Sequence, residues 1–229
     1  MNIEICAGNI EDIIIAEKLN ISRIELNQGL SIGGLTPSHA LVKQALKIST
    51  KDIVVMIRPR EGDFTYTENE YMVMKEDAKY LLKLPIKGIV FGFLNYDNSI
   101  DVKRTKKFIT LAKKYNKEAI FHRAIDVSND YINNLILLKN LGITRILTSG
   151  HEKNAELGIE NIKKAIKENL PIIVGCGINA NNIHKFKNLG ITDIHGSFSK
   201  KILNDYTIDF GNYTILDKNI EKNIDFNSF

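Results

Sequence analysis

The strongest constraint on this chain is a rhythm. Short apolar runs bounded by glycine, proline or polar residues alternate with longer segments whose apolar residues recur at helical spacing. The runs fall at 3–6, 23–27, 53–57, 88–93, 119–122, 145–148, 171–175 and 193–195. Eight strands separated by helices at intervals of about 20 to 35 residues predict an α/β fold, a closed (β/α)8 TIM barrel, because an open doubly wound sheet needs fewer strands. The first βα turn lacks a GxGxxG fingerprint, so no nucleotide cofactor is expected.

A chain of 229 residues with 44% hydrophobic content is long enough for one barrel around a sizeable core. Residues 1–229 therefore read as a single domain, with 200–229 a polar tail in which 216–224 is the candidate eighth helix. Thr36 and Pro37 read as the N-cap and first position of a helix reaching Ile48, and Thr67 with Glu70 has the spacing of a capping box. The net charge of +4 comes from 31 basic and 27 acidic residues, and the lysines are scattered rather than gathered into a stripe with interleaved aromatics. No nucleic-acid partner is expected. No signal peptide precedes the first strand, and no apolar run approaches a membrane span. The two cysteines, Cys6 and Cys176, show no metal-ligand spacing that would suggest a disulfide framework or structural zinc. The expectation is a cytoplasmic protein without a membrane partner.

In a barrel, side chains alternate between the interior and the helix layer, and ligand-binding groups gather at the C-terminal ends of the strands. This places Glu4 and Cys6 inward on the first strand and Glu25 and Asn27 inward on the second. The third strand runs into Met56-Ile-Arg-Pro-Arg60, where Pro59 stiffens the loop and two guanidiniums offer donor forks to a carboxylate or phosphate. Structural pairing of Arg58 or Arg60 with Glu61, Asp63 or an acid of a neighbouring strand is the competing reading. Buried Glu4 and Glu25 need cationic partners, and Arg58 is the expected one.

His122 faces inward on the fifth strand, either as a general acid or base or as a neutral histidine with both nitrogens satisfied. Asp126 could orient His122, bind a cation or cap the following helix. Ser149 ends the sixth strand, where its hydroxyl would bind ligand or close a turn. The small-residue loops carrying Gly175 and Gly177 after the seventh strand and Ser197 after the eighth are like a phosphate cup. His195 faces inward on the eighth strand.

Several stretches carry a family resemblance: Ile3-Glu-Ile-Cys6, Arg23-Ile-Glu-Leu26, Gly33-Gly-Leu-Thr-Pro37, Met56-Ile-Arg-Pro-Arg60 with Gly62-Asp-Phe64, Val90-Phe-Gly92, Phe121-His-Arg-Ala124 with Asp126, and Leu147-Thr-Ser-Gly150. Together they resemble the CutC family from residue 3 to about residue 199. The resemblance implies a cytoplasmic, homo-oligomeric TIM barrel associated by name with copper homeostasis. Cu(I) would be the bound ion, Cys6 its ligand and Met56 or Cys176 a further source of sulfur. Family members commonly carry a second cysteine at the end of strand two, where this chain has Asn27, and an amide is a poor ligand for a soft cation. An alternative rests on the charged residues themselves: an isomerase or lyase type of enzyme acting on a small anionic or phosphorylated metabolite, with Arg58 and Arg60 holding the anion and Glu4, Glu25 or His122 moving protons. A third possibility is a barrel whose role lies in an interaction surface.

Overall fold

The computed structural model describes residues 1–202 and 213–228. Eight parallel strands, β1 (Asn2–Ala7), β2 (Arg23–Leu26), β3 (Asp52–Met56), β4 (Gly88–Phe91), β5 (Glu118–Phe121), β6 (Arg145–Thr148), β7 (Ile172–Val174) and β8 (Asp193–Gly196), pair in chain order. β8 also pairs with β1, which closes the predicted barrel. Strands buried on both faces suit the Ile- and Val-rich runs, since branched side chains pack well against a pleated surface.

The alternation sorts the side chains into two layers. Ile3, Ile5, Ala7, Ile24, Leu26, Ile53 and Val55 join the large core beneath the helices. Val54, Met56, Val90, Ile120, Leu147 and Ile173 form a separate apolar cluster, on the strand positions that face the barrel interior. On β1, β2 and β8 the interior positions instead hold Glu4, Glu25 and His195, all buried. The barrel is thus apolar along β3 to β7 and charged where β8, β1 and β2 meet.

The helices α1 (Ile10–Glu17), α2 (His39–Ile48) and α3 (Glu68–Leu81) open the outer layer. The α3 N-terminus has the predicted capping box, with Thr67 and Glu70 each bonding the other's backbone N–H. The α2 N-cap differs from expectation: it is Ser38, whose hydroxyl accepts from the Leu41 amide. Thr36 is engaged elsewhere, its hydroxyl accepting from the Arg58 amide and donating to the Arg58 carbonyl. It therefore ties the loop after β2 to the end of β3.

The C-terminal segment also departs from expectation. Two antiparallel strands, β9 (Ser199–Ile202) and β10 (Tyr213–Leu216), form a separate two-stranded sheet, and residues 203–212 lie outside those described. Helix begins at Ile220 and spans Ile220–Asn223, so Leu216, expected to start a helix, ends a strand instead. Leu216 donates its amide to the Asp12 carboxylate, and Leu216, Ile220, Ile224 and Phe226 are buried in the main core. The pattern 216–224 is apolar enough for either reading, and pairing with β9 decides it. No helix of the described residues is long and apolar enough to cross a membrane.

Candidate functional site at the barrel mouth

Register builds the charged half of the barrel. Glu4 stands opposite Arg23 on β2 and opposite His195 on β8, and Cys6 stands opposite Glu25. Glu4 is ion-paired to Arg23 and lies 3.4 Å from Arg145, while His195 Nδ1 is 2.8 Å from its other carboxylate oxygen. Burial pushes the Glu4 carboxyl up, but His195 and Arg23 outweigh it and hold the pKa below its ordinary value. For His195, burial disfavours the imidazolium, and the charges of Glu25 and Glu4 overcome this and raise its pKa. Glu25 is raised, chiefly by burial, with the Glu4 charge adding to it.

These contacts correct the partner expected for the interior carboxylates. Arg58 makes no ion pair among the described residues; its guanidinium donates to the carbonyls of Ile32, Gly34 and Gly62. The reason is height in the barrel. Glu25 is in register with Val54, and Arg58 lies four residues beyond Val54, roughly 13 Å farther along the strand direction.

A cavity of about 550 Å³ opens above this charged layer, lined by residues that include Cys6, Glu25, Asn27, Met56, Arg58, Phe64, His122, Gly177, His195 and Ser197. That volume suits a small ligand. Cys6 Sγ accepts from Asn27 Nδ2 at 3.2 Å, and Asn27 Nδ2 also donates to Glu25 Oε1 at 2.7 Å. Burial, then the charges of Glu25 and Glu4, raises the Cys6 thiol well above its ordinary pKa, so it is a neutral thiol at neutral pH. Ligand atoms of Cys6, Glu25 and His195 all lie within 4.8 Å of one another. Glu25 Oε2, Asn27 Oδ1 and His122 Nε2 are buried without a hydrogen-bond partner among the described residues.

His122 sits across the mouth from this cluster, on the β5 side of the cavity. Its Nδ1 accepts from the Ala124 amide at 3.1 Å, so the proton of the neutral ring resides on Nε2. Burial, then the nearby Arg58 charge, lowers its pKa to about 3. Gly92 makes room for the ring: a Cβ there would lie 2.5 Å from His122 Cε1. Phe64 packs against His122 with centroids 4.8 Å apart and lies beneath the Arg58 guanidinium at 5.3 Å.

Other expected site residues lie outside the cavity lining. Arg60 is paired with Glu70 and Asp63, the structural alternative for this arginine. Asp126 neither orients His122 nor caps the next helix. Its carboxylate accepts from the Ser149 amide and hydroxyl, the Thr148 hydroxyl and the His151 amide, and it pairs with Arg123. It stitches the loop after β5 to the end of β6, which also accounts for Ser149. Glu4 lies below the cavity, and Gly175 packs against Leu147 and His195. Cys176, a candidate sulfur source, lines the mouth, as do Arg123, Ser199 and Thr214, which were not singled out as site residues from the sequence. Cys176 adopts φ +74°, and Thr214 arrives on β10, whose pairing no local sequence signal announced.

Fold and mouth together define the class: a (β/α)8 barrel with a small-ligand-sized cavity, lined by both polar and apolar residues, at the C-terminal ends of its strands. The chain belongs to the CutC family, whose model matches residues 1–200. It is 43% identical over 205 residues to a CutC family protein of Treponema denticola, covering 88% of this chain and 82% of that one. A CutC family protein of Glaesserella parasuis is 39% identical over 201 residues, covering 86% and 82%. The crystal structure of CutC from Streptococcus agalactiae superposes with a TM-score of 0.79 at 32% identity, covering 86% of this chain and 98% of that one.

Proposed function

We propose that this protein acts in copper homeostasis by holding Cu(I) at Cys6, His195 and Glu25. The observation that carries the reading is the convergence of a thiol, an imidazole and a carboxylate within 4.8 Å, with one Glu25 oxygen buried and without a hydrogen-bond partner among the described residues. The streptococcal relative is named for copper homeostasis. Cu(I) favours soft sulfur and accepts imidazole, so Cys6 is the principal ligand and His195 the second, with Glu25 alongside. The Glu4 contact at Nδ1 leaves Nε2 as the other His195 nitrogen, and a carboxylate behind a histidine ligand fixes the ring and raises its basicity. Asn27 steadies the sulfur through its amide N–H in place of supplying a second thiolate. Metal binding here displaces the thiol proton. Competition against a chromogenic Cu(I) chelator should show one ion per chain, and Cys6→Ser should reduce affinity at least tenfold. Unchanged affinity in Cys6→Ser, or stoichiometric Zn(II) binding without Cu(I) binding, would overturn the copper reading.

A second reading, an isomerase or lyase type of enzyme, is favoured by the unpartnered His122 Nε2 in the same cavity. With a pKa near 3, His122 is a hydrogen-bond donor at neutral pH rather than a base. Glu25, with its raised pKa, is then the group suited to moving a proton.

A further inference from the structure

We infer that the β3–β5 side of the mouth, Arg58 with His122, is a binding site for the carboxylate or phosphate group of a small organic anion. The inference extends the second reading to a ligand class and to particular atoms, and it stands whether or not Cys6 holds a metal.

Three observations carry it. First, His122 is 3% exposed and its Nε2 has no partner among the described residues. With Nδ1 occupied as an acceptor by the Ala124 amide, Nε2 must be the protonated nitrogen, so it is an N–H donor awaiting an acceptor. A buried donor left unpaired costs about 1–3 kcal/mol, which an acceptor on a ligand would recover.

Second, Arg58 is 5% exposed yet is bonded through its terminal nitrogens only to backbone carbonyls. Carbonyl dipoles solvate a guanidinium without neutralising it. Elsewhere in the interior the opposite solution is used: Arg23 and Arg145 are each paired with Glu4. The Arg58 charge is therefore available to an anion, and Gly33, where a Cβ would lie 3.2 Å from Nη1, leaves the room that holds the fork in this pose.

Third, both groups line the same cavity of about 550 Å³ and are braced by one ring, Phe64. Arg123 lines it too and adds positive charge, although it is paired with Asp126. On the opposite side, Glu25 Oε2 and Asn27 Oδ1 are acceptors without a hydrogen-bond partner among the described residues, Oε2 lying 3.9 Å from His195 Nδ1. The cavity is thus polarised, with donors and positive charge toward β3 and β5 and acceptors toward β1 and β2. Met56, Leu147 and Ile178 supply apolar lining. A ligand matching it carries an anionic group at one end and a hydroxyl or other donor at the other.

The test uses full-length protein freed of metal, with inorganic phosphate, malonate and glycerol 3-phosphate as probes. In wild-type protein the His122 Nε2 resonance in ring 1H–15N spectra should move saturably with at least one probe. His122→Asn keeps an acceptor for the Ala124 amide but removes the Nε2 donor, whereas His122→Gln restores a donor at nearly the same reach. Affinity should fall at least tenfold in His122→Asn and recover in His122→Gln. Probe binding to wild-type protein should persist with a Cu(I) chelator present, which separates this inference from the copper reading. Preference for malonate or for a phosphate assigns the anionic group. The absence of saturable binding of any probe to wild-type protein would overturn the inference. So would probe affinity unchanged in folded His122→Asn, or saturable binding that leaves the His122 resonance unmoved.

Discussion

His122 shows how much a single residue's environment decides. Free histidine titrates near neutrality, but this ring is buried beside Arg58, and its pKa falls to about 3. Because the folded pKa lies below the unfolded value near 6.5, the unfolded chain takes up the proton first. The stability that the neutral ring contributes is thus complete above about pH 6.5 and is lost as pH falls toward 3. The slope attributable to this residue is up to about 1.4 kcal/mol per pH unit in that window. Urea unfolding of wild type and His122→Asn at pH 7, 6, 5 and 4 should show the difference between them shrinking as pH falls. A constant difference would mean that His122 is protonated normally in the fold. Glu4 is the contrasting case: its charge is retained because Arg23, Arg145 and His195 surround it.

Among the elements, α3 is the one whose start was written most plainly in its sequence. Thr67 and Glu70 satisfy each other's amides, so Thr67→Ala should cost about 1 kcal/mol. The urea midpoint should fall accordingly with the m-value unchanged; an unchanged midpoint would show that the cap contributes nothing to global stability. The α2 start was legible only in part, because Thr36 and Ser38 are both competent caps. Thr36 is taken by the backbone of Arg58, a partner 22 residues away that helix propensity cannot reveal. The loops after β5 and β6 are similar: Asp126 has the spacing of a helix-cap residue, yet its oxygens are claimed by Thr148, Ser149 and His151.

On the scale of the whole molecule, the family match ends at residue 200, but the packed core does not. Leu216, Ile220, Ile224 and Phe226 are each no more than 5% exposed. Each buried side chain of this kind is worth about 1.5–3 kcal/mol, an upper estimate, against a typical total stability of about 5–15 kcal/mol. A chain ending at residue 200 should therefore melt at least about 10 °C lower than the full chain, or without a cooperative transition. Equal melting temperatures would show that the C-terminal segment is dispensable to the core. The same segment brings Thr214 to the cavity, so the wall of the mouth is completed from outside the barrel.

The barrel was legible because its determinants are local and periodic: eight apolar runs at regular spacing, with alternation that assigns Glu4, Cys6, Glu25, Asn27 and His122 to interior strand positions. Which of these residues meet was settled by register and height, which arise only when the sheet closes. Strand pairing sets Glu4 between Arg23 and His195 and leaves Arg58 about four residues above Glu25, among carbonyls. Closure also joins β8 to β1, residues about 190 positions apart, and so creates the Cys6–Glu25–His195 cluster. Periodicity in one dimension specifies which way a side chain points. Its neighbours across the barrel, and hence its charge, are fixed by pairings between residues distant in the chain, which only the tertiary structure supplies.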